Sequence, residues 1–161
     1  MVAAHPTNSA VQVANYFIKR AADENKPITN KKLQKLVYYA QVWSLVLNKE
    51  KLFREKMEAW VHGPVVPALY RKFMSFEANP ITLDMSDATF SFGKKQLEVL
   101  DSVWSVYGDY DASYLEALTH SELPWQEARK DLPATEASNN EIDLKLARDF
   151  YAAKLGTEQA K

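Results

Sequence analysis

The chain has 161 residues, 47% of them hydrophobic and 25% charged, with a formal net charge of −1. That describes one globular domain with an ordinary core and argues against disorder. With no cysteine and only four glycines, it excludes disulfides, thiolate metal sites, a cysteine nucleophile and a Gly-rich phosphate loop, and it favours a helical protein. The near-neutral charge lacks the excess of a nucleic-acid binder, so nucleic acid is not an expected partner.

The opening "MVAAHPTNSA" has neither a basic region nor an apolar run of a secretory signal. The most apolar run, Val37 to Leu47, is far shorter than the roughly 20 residues a membrane helix needs. No membrane partner is expected, and the cytoplasm is the expected location.

The first helix follows "PTNS", where Asn8 or Ser9 can cap it. Ala10, Val13, Ala14, Phe17, Ile18 and Ala21 then form one apolar stripe. Fraying is expected near Asp23 to Asn25, with a stop before Pro27. The strongest helix signal is "ITNKKLQKLVYYAQVWSLVLNKE", capped by Thr29 or Asn30. Its main stripe is Leu33, Leu36, Val37, Ala40, Trp43, Ser44 and Leu47, and a second runs through Gln34, Tyr38, Gln41 and Leu45. A helix apolar on more than one side is central in its domain. Lys31, Lys32 and Lys35 read as solvated surface, as do Arg71 with Lys72 and Lys94 with Lys95.

Met57, Ala59 and Val61 alternate with Glu58, Trp60 and His62, a strand pattern that Gly63-Pro64 should end. Pro67 suits the first turn of a following helix that carries Leu69, Tyr70, Phe73 and Met74. "ITLDMSDATFSF", residues 81–92, is β-rich in composition and is the candidate to pair with residues 57–62. A helix is predicted over Lys94 to Tyr107, with Gly108 ending it in a left-handed conformation.

Three short helices complete the chain. Ser113 and Glu116 have capping-box spacing for one over 114–120, and Pro124 starts the next, which ends at Leu132-Pro133. Ser138 and Glu141 repeat the spacing before a last helix that carries Ile142, Leu146, Phe150 and Ala153 and frays in "GTEQAK". The fold class is therefore mainly α: one domain of about six to seven helices, with a small antiparallel hairpin or sheet near residues 57–62 and 81–92.

Catalytic chemistry finds little footing. His5, His62 and His120 are far apart, with no pair at the i, i+4 spacing of a helical metal site. Carboxylates such as Asp109, Asp111, Glu55 and Glu58 flank no nucleophile, and no hydrolase, Walker or dinucleotide fingerprint is present. The expectation is a non-enzyme without metal or cofactor.

Three stretches carry a resemblance. "ITNKKLQKLVYYAQVW", "EAWVHGPVVPALYRKF" and "ALTHSELPWQEAR" occur in order and together resemble the Panacea antitoxin domain, also described as phage-associated GepA-like or SocA-like proteins, over about residues 8–155. The resemblance implies an antitoxin that neutralises a toxin protein encoded in the same operon by direct contact. A second reading is a proteolytic adaptor that delivers the toxin to an ATP-dependent AAA+ protease, with docking at Met1 to Asn8 or Gly156 to Lys161. A third, a DNA-binding autoregulator, is disfavoured by the charge. The resemblance supplies no catalytic residue, and it weakens His62 as one, since the family varies at that position.

The binding residues come from this sequence alone. Gly63, Pro64 and Pro67 are a structural turn that orients a strand against a helix. The surface it presents is Trp60 and His62 on the strand and Tyr70, Arg71 and Phe73 on the helix; Tyr38 and Tyr39 are further candidates on the central helix. Aromatics and arginine are the types enriched at binding hot spots.

Overall fold

A computed structural model describes residues 8–84 and 86–160, with the backbone alone at 157–160. The elements are α1 (Ala10–Asp23), α2 (Asn30–Leu47), β1 (Glu58–Trp60), β2 (Gly63–Val65), α3 (Pro67–Phe73), α4 (Lys94–Tyr107), α5 (Ala112–His120), α6 (Leu123–Arg129) and α7 (Leu144–Ala160), with one 3-10 turn at Met74–Phe76. The fold is mainly helical with one small antiparallel sheet, as the sequence leads one to expect.

Helix α2 is the axis of the domain. It packs against α1, α3, α4, α5, α7 and β2, because apolar side chains surround it: Leu33, Leu36, Val37, Tyr39, Ala40 and Val42 are each fully buried. Its polar residues pin the chain around it. Gln41 Nε2 donates to Phe53 O at 2.8 Å, and its Oε1 accepts from Leu52 N at 2.7 Å. Gln34 Oε1 accepts from Val66 N at 3.0 Å. Ser9 and Thr29 cap α1 and α2 by accepting from Gln12 N and Lys32 N, at 3.3 and 3.2 Å.

The hairpin corrects two expectations. Gly63-Pro64 does not end the sheet but begins its return strand, with register Glu58–Val65, Ala59–Pro64 and Trp60–Gly63. Pro64 is tolerated because Ala59 turns both its backbone groups the other way: its N–H donates to Asn140 O at 2.9 Å and its carbonyl accepts from Arg129 Nη1 at 3.0 Å. The Ala59–Pro64 pair exchanges no hydrogen bonds, so the missing N–H costs nothing. Residues 81–84 and 86–92 hold no strand. They cover the side of α1 instead, through Ile81 N to Ile28 O at 2.8 Å and Asn15 Nδ2 to Thr89 O at 2.9 Å. Ile81 N and Thr89 O are thus engaged by the α1–α2 loop and by an α1 side chain.

Other corrections are local. Gly108 is right-handed, with φ −63°, and it is small because a Cβ would lie 2.9 Å from Trp104 Cδ2 and 2.4 Å from Trp104 O. The cap of α5 is Asp111, whose carboxylate accepts from Tyr114 N at 2.8 Å, not Ser113. Helix α6 ends at Arg129, short of Leu132-Pro133. Asp143 takes the place of Ser138 before α7, accepting from Lys145 N at 2.9 Å. Residues 140–142 run instead along β1, where Ile142 N donates to Met57 O at 2.9 Å. Helix α7 continues through Gly156 to Ala160, where fraying was expected. Lys32 and Lys35 are not surface: they are 8% and 1% exposed.

Candidate functional site

The hairpin and α3 form one wall of an open cleft of about 820 Å³, and α2 and the 137–139 loop complete it. Four of the residues that the sequence singles out meet there: Trp60, His62, Tyr70 and Arg71 all line it. Trp60 and Tyr70 meet edge to face, with ring centroids 5.1 Å apart, a geometry that fixes both rings. The Trp60 indole N–H donates to Glu58 Oε1 at 2.9 Å. Arg71 is exposed on the α3 side, whereas Phe73, expected on the same surface, is 1% exposed and packs in the core.

Tyr38 and Tyr39 do not belong to this surface. They are 1% and 0% exposed, on the side of α2 that faces the core. The Tyr38 hydroxyl meets the Tyr151 hydroxyl at 2.9 Å, and Tyr39 Oη donates to Glu122 Oε1 at 2.8 Å. No partner can reach them while the domain is folded.

The floor of the cleft explains the turn. Gly63 has φ +117°, a conformation that side chains disfavour, and a Cβ there would come 2.6 Å from Lys35 Cε and 3.1 Å from Thr119 Oγ1. Only glycine lets the hairpin settle on α2 and α5. From below, Trp125 Nε1 donates to Trp60 O at 2.8 Å, and its ring stacks on His120 at 3.9 Å. The buried Arg129 lies over the other partner, Trp125, at 5.0 Å and also donates to Pro133 O at 2.9 Å. The three quoted sequence stretches therefore converge on one hairpin: Gln34 and Lys35 from the first, Trp60 to Val66 from the second, Thr119 to Arg129 from the third.

Electrostatics at the cleft centre on Lys35 and Glu116. Burial pushes the Lys35 ammonium down to about 7, with Glu116 opposing the shift and Lys31 adding to it. Burial alone would raise the Glu116 carboxyl, but the Lys31 ion pair and His62, whose Nδ1 lies 3.2 Å from Glu116 Oε2, hold it below its ordinary value. His62 is thus tied to a carboxylate at an exposed edge. Burial lowers the His120 imidazole. Among the described residues no group of three histidines, aspartates or glutamates could hold a metal ion; His5 lies outside them. Among the described residues no helix is long and apolar enough to cross a membrane.

Gln34, Lys35, Glu116, Thr119, Trp125 and Arg129 escaped the sequence-level site. Each is a polar or aromatic residue on a largely apolar helix, and for all but Glu116, which directly precedes the third stretch, the one signal was their presence inside the three quoted stretches.

These stretches coincide with a family match. The family model for antitoxin SocA-like proteins, Panacea domain, matches residues 33–126, which include Gln34, Lys35, the whole hairpin, Thr119 and Trp125. Antitoxin SocA of Caulobacter vibrioides (strain NA1000 / CB15N) is 44% identical over 61 residues, covering 38% of this chain and 32% of that protein. The match thus spans about a third of the curated relative's length. No solved structure matches the chain.

Proposed function

The chain belongs to the SocA-like Panacea antitoxin family, and from that premise we propose that it neutralises a toxin protein, encoded beside it in the same operon, by direct contact through the cleft of Trp60, His62, Tyr70 and Arg71. One observation carries the reading. All three sequence stretches of the family resemblance contribute residues that hold one hairpin against α2, and at that hairpin a half-buried aromatic pair, Trp60 and Tyr70, lines an open cleft beside the exposed Arg71 of α3. A fold maintained only for stability has no need to present that surface.

The cleft suits a protein segment better than a small substrate. It is open, and its walls are two rings, a cation and a histidine rather than a nucleophile with a base. Neutralisation would then be occlusion without catalysis: the toxin's working surface is covered while bound. Rigid support of the hairpin from Trp125, Arg129 and Gln34 keeps the ordering cost of binding low.

The test is co-expression with the product of the adjacent gene, followed by pull-down and a toxin half-life measurement in the same cells. Growth rescue with a stable, co-purifying complex supports the proposal. Rescue with a shortened toxin half-life would replace occlusion by delivery to a protease. No rescue and no complex would overturn both.

A further inference from the structure

A second pocket lies on the opposite side of α2, between α4, α5 and α7, with a volume of about 380 Å³. Its walls are aromatic: Trp43, Tyr107, Tyr110, Tyr114 and Tyr151 all border it. Tyr110 and Tyr114 are stacked at 4.2 Å and stand 39% and 49% exposed at the mouth. Such faces are negative at their centres and attract cations.

A carboxylate sits among these rings. Glu122 is 3% exposed and borders the pocket. Its Oε1 accepts from Tyr39 Oη at 2.8 Å and from Tyr151 Oη at 2.7 Å, which fixes its orientation. Its Oε2 faces Lys154 Nζ at 3.3 Å. That lysine stands on a side chain 46% exposed, with its ammonium 5.9 Å from the centre of the Phe150 ring. The internal cation reaches the carboxylate from the rim, on a half-exposed side chain. A buried carboxylate needs a positive partner, and this one could exchange a solvent-exposed partner for a better enclosed one.

We propose that this pocket binds an organic cation on an aliphatic stem, an alkylammonium or a lysine side chain, with Glu122 as counter-ion, the tyrosines and Trp43 enclosing the stem, and Lys154 displaced. The volume suits a small ligand group. The apolar rim, which includes Leu47 at 49% and Val106 at 57% exposure, suits the stem and its surroundings. The site is separate from the cleft under the hairpin and stands whether or not that cleft binds a toxin.

The test is an NMR titration of the whole chain with n-butylammonium, Nα-acetyl-lysine-N-methylamide and, as the neutral control, n-butanol. The Trp43 indole N–H and the amides of Tyr110 and Tyr114 report binding. Both cations should give saturable shifts there, with butanol at least tenfold weaker. Lys154→Ala removes the internal competitor and should tighten cation binding at least threefold. Tyr114→Ala removes one exposed wall and should weaken it at least threefold. Tyr114 is 49% exposed, but Lys154→Ala leaves the buried Glu122 without its cation, so thermal melts with and without butylammonium accompany both variants, and the cation should raise the melting temperature of Lys154→Ala more than that of the natural chain. Stronger binding by the lysine amide identifies a partner's side chain as the source, and stronger binding by butylammonium a free amine. Butanol binding as well as the cations, no gain in Lys154→Ala, or no saturable shift overturns the proposal.

Discussion

Gly63 rests directly on the Lys35 side chain: a Cβ built on the glycine would lie 2.6 Å from Lys35 Cε. This one approach joins two sequence stretches that are separate along the chain, and it decides where the hairpin sits. Gly63→Ala must adopt φ +117° with a side chain and push the lysine stem aside. The expected loss is about 2–4 kcal/mol, from backbone strain and overpacking together. Urea denaturation measures it. A loss well under 1 kcal/mol would mean that the hairpin moves freely and that the cleft is not rigidly built.

Lys35 gives the domain a pH dependence. Burial lowers its ammonium to about 7 in the folded state, against an ordinary value of 10.5 when unfolded. Between those values the unfolded chain binds the extra proton, so stability rises with pH; below about 7 both states are protonated and the burial penalty is present in full. Lys35→Met keeps the stem under Gly63 and removes the charge. It should be more stable than the natural chain at pH 6.5, and the gap should narrow steadily as pH rises from about 7 toward 10.5, at no more than about 1.4 kcal/mol per unit. Denaturant midpoints at pH 6.5, 7.5 and 8.5 test this. A gap that stays constant across the range would show that Lys35 keeps its proton in the folded state.

The cleft predicts its own hot spots. Tyr70→Ala and Arg71→Ala alter a half-buried and an exposed side chain, and each should weaken the toxin complex by roughly 2 kcal/mol with little change in melting temperature. Trp60→Ala should do the same to binding, while the Trp125 bond survives because it is made to the Trp60 backbone carbonyl. Calorimetric titration and thermal melts on the same samples separate the two effects. Normal binding in all three variants would move the toxin surface elsewhere.

Much of the fold was legible because local rules and tertiary structure agree there. Ser9 and Thr29 cap as their residue types demand, Pro67 opens α3, and α4 spans Lys94–Tyr107 as its apolar periodicity indicates. Reading failed where a distant partner decided the outcome. Whether Pro64 ends a strand or pairs in it depends on Asn140 and Arg129 taking the backbone groups of Ala59, and nothing near Pro64 announces them. Lys35 reads as surface by its charge, yet the hairpin that buries it lies well along the chain. Tyr38 and Tyr39 show the limit for binding sites: a tyrosine on a central helix serves core and interface alike, and only the positions of Glu122 and Tyr151 settle which. That Trp60, His62, Tyr70 and Arg71 share one cleft could be read because the strand and the helix that carry them are joined by one short, stiff turn.

Tyr39 separates core from interface by experiment. Its ring stacks on Tyr107 at 4.0 Å and its hydroxyl donates to Glu122 at 2.8 Å. Tyr39→Phe preserves the stack and the volume and removes one donor from a buried carboxylate. Hydrogen bonds to charged groups are worth more than neutral ones, and Tyr151 and Lys154 still serve Glu122, so the cost should be about 1–2 kcal/mol. Toxin affinity should not change, because the residue lies on the far side of α2 from the hairpin cleft. Denaturation and binding measured on the same variant give the answer. Lost stability with intact affinity assigns Tyr39 to the core network, whereas lost affinity with intact stability would return it to the binding surface and place the toxin against the α4–α7 side of the domain.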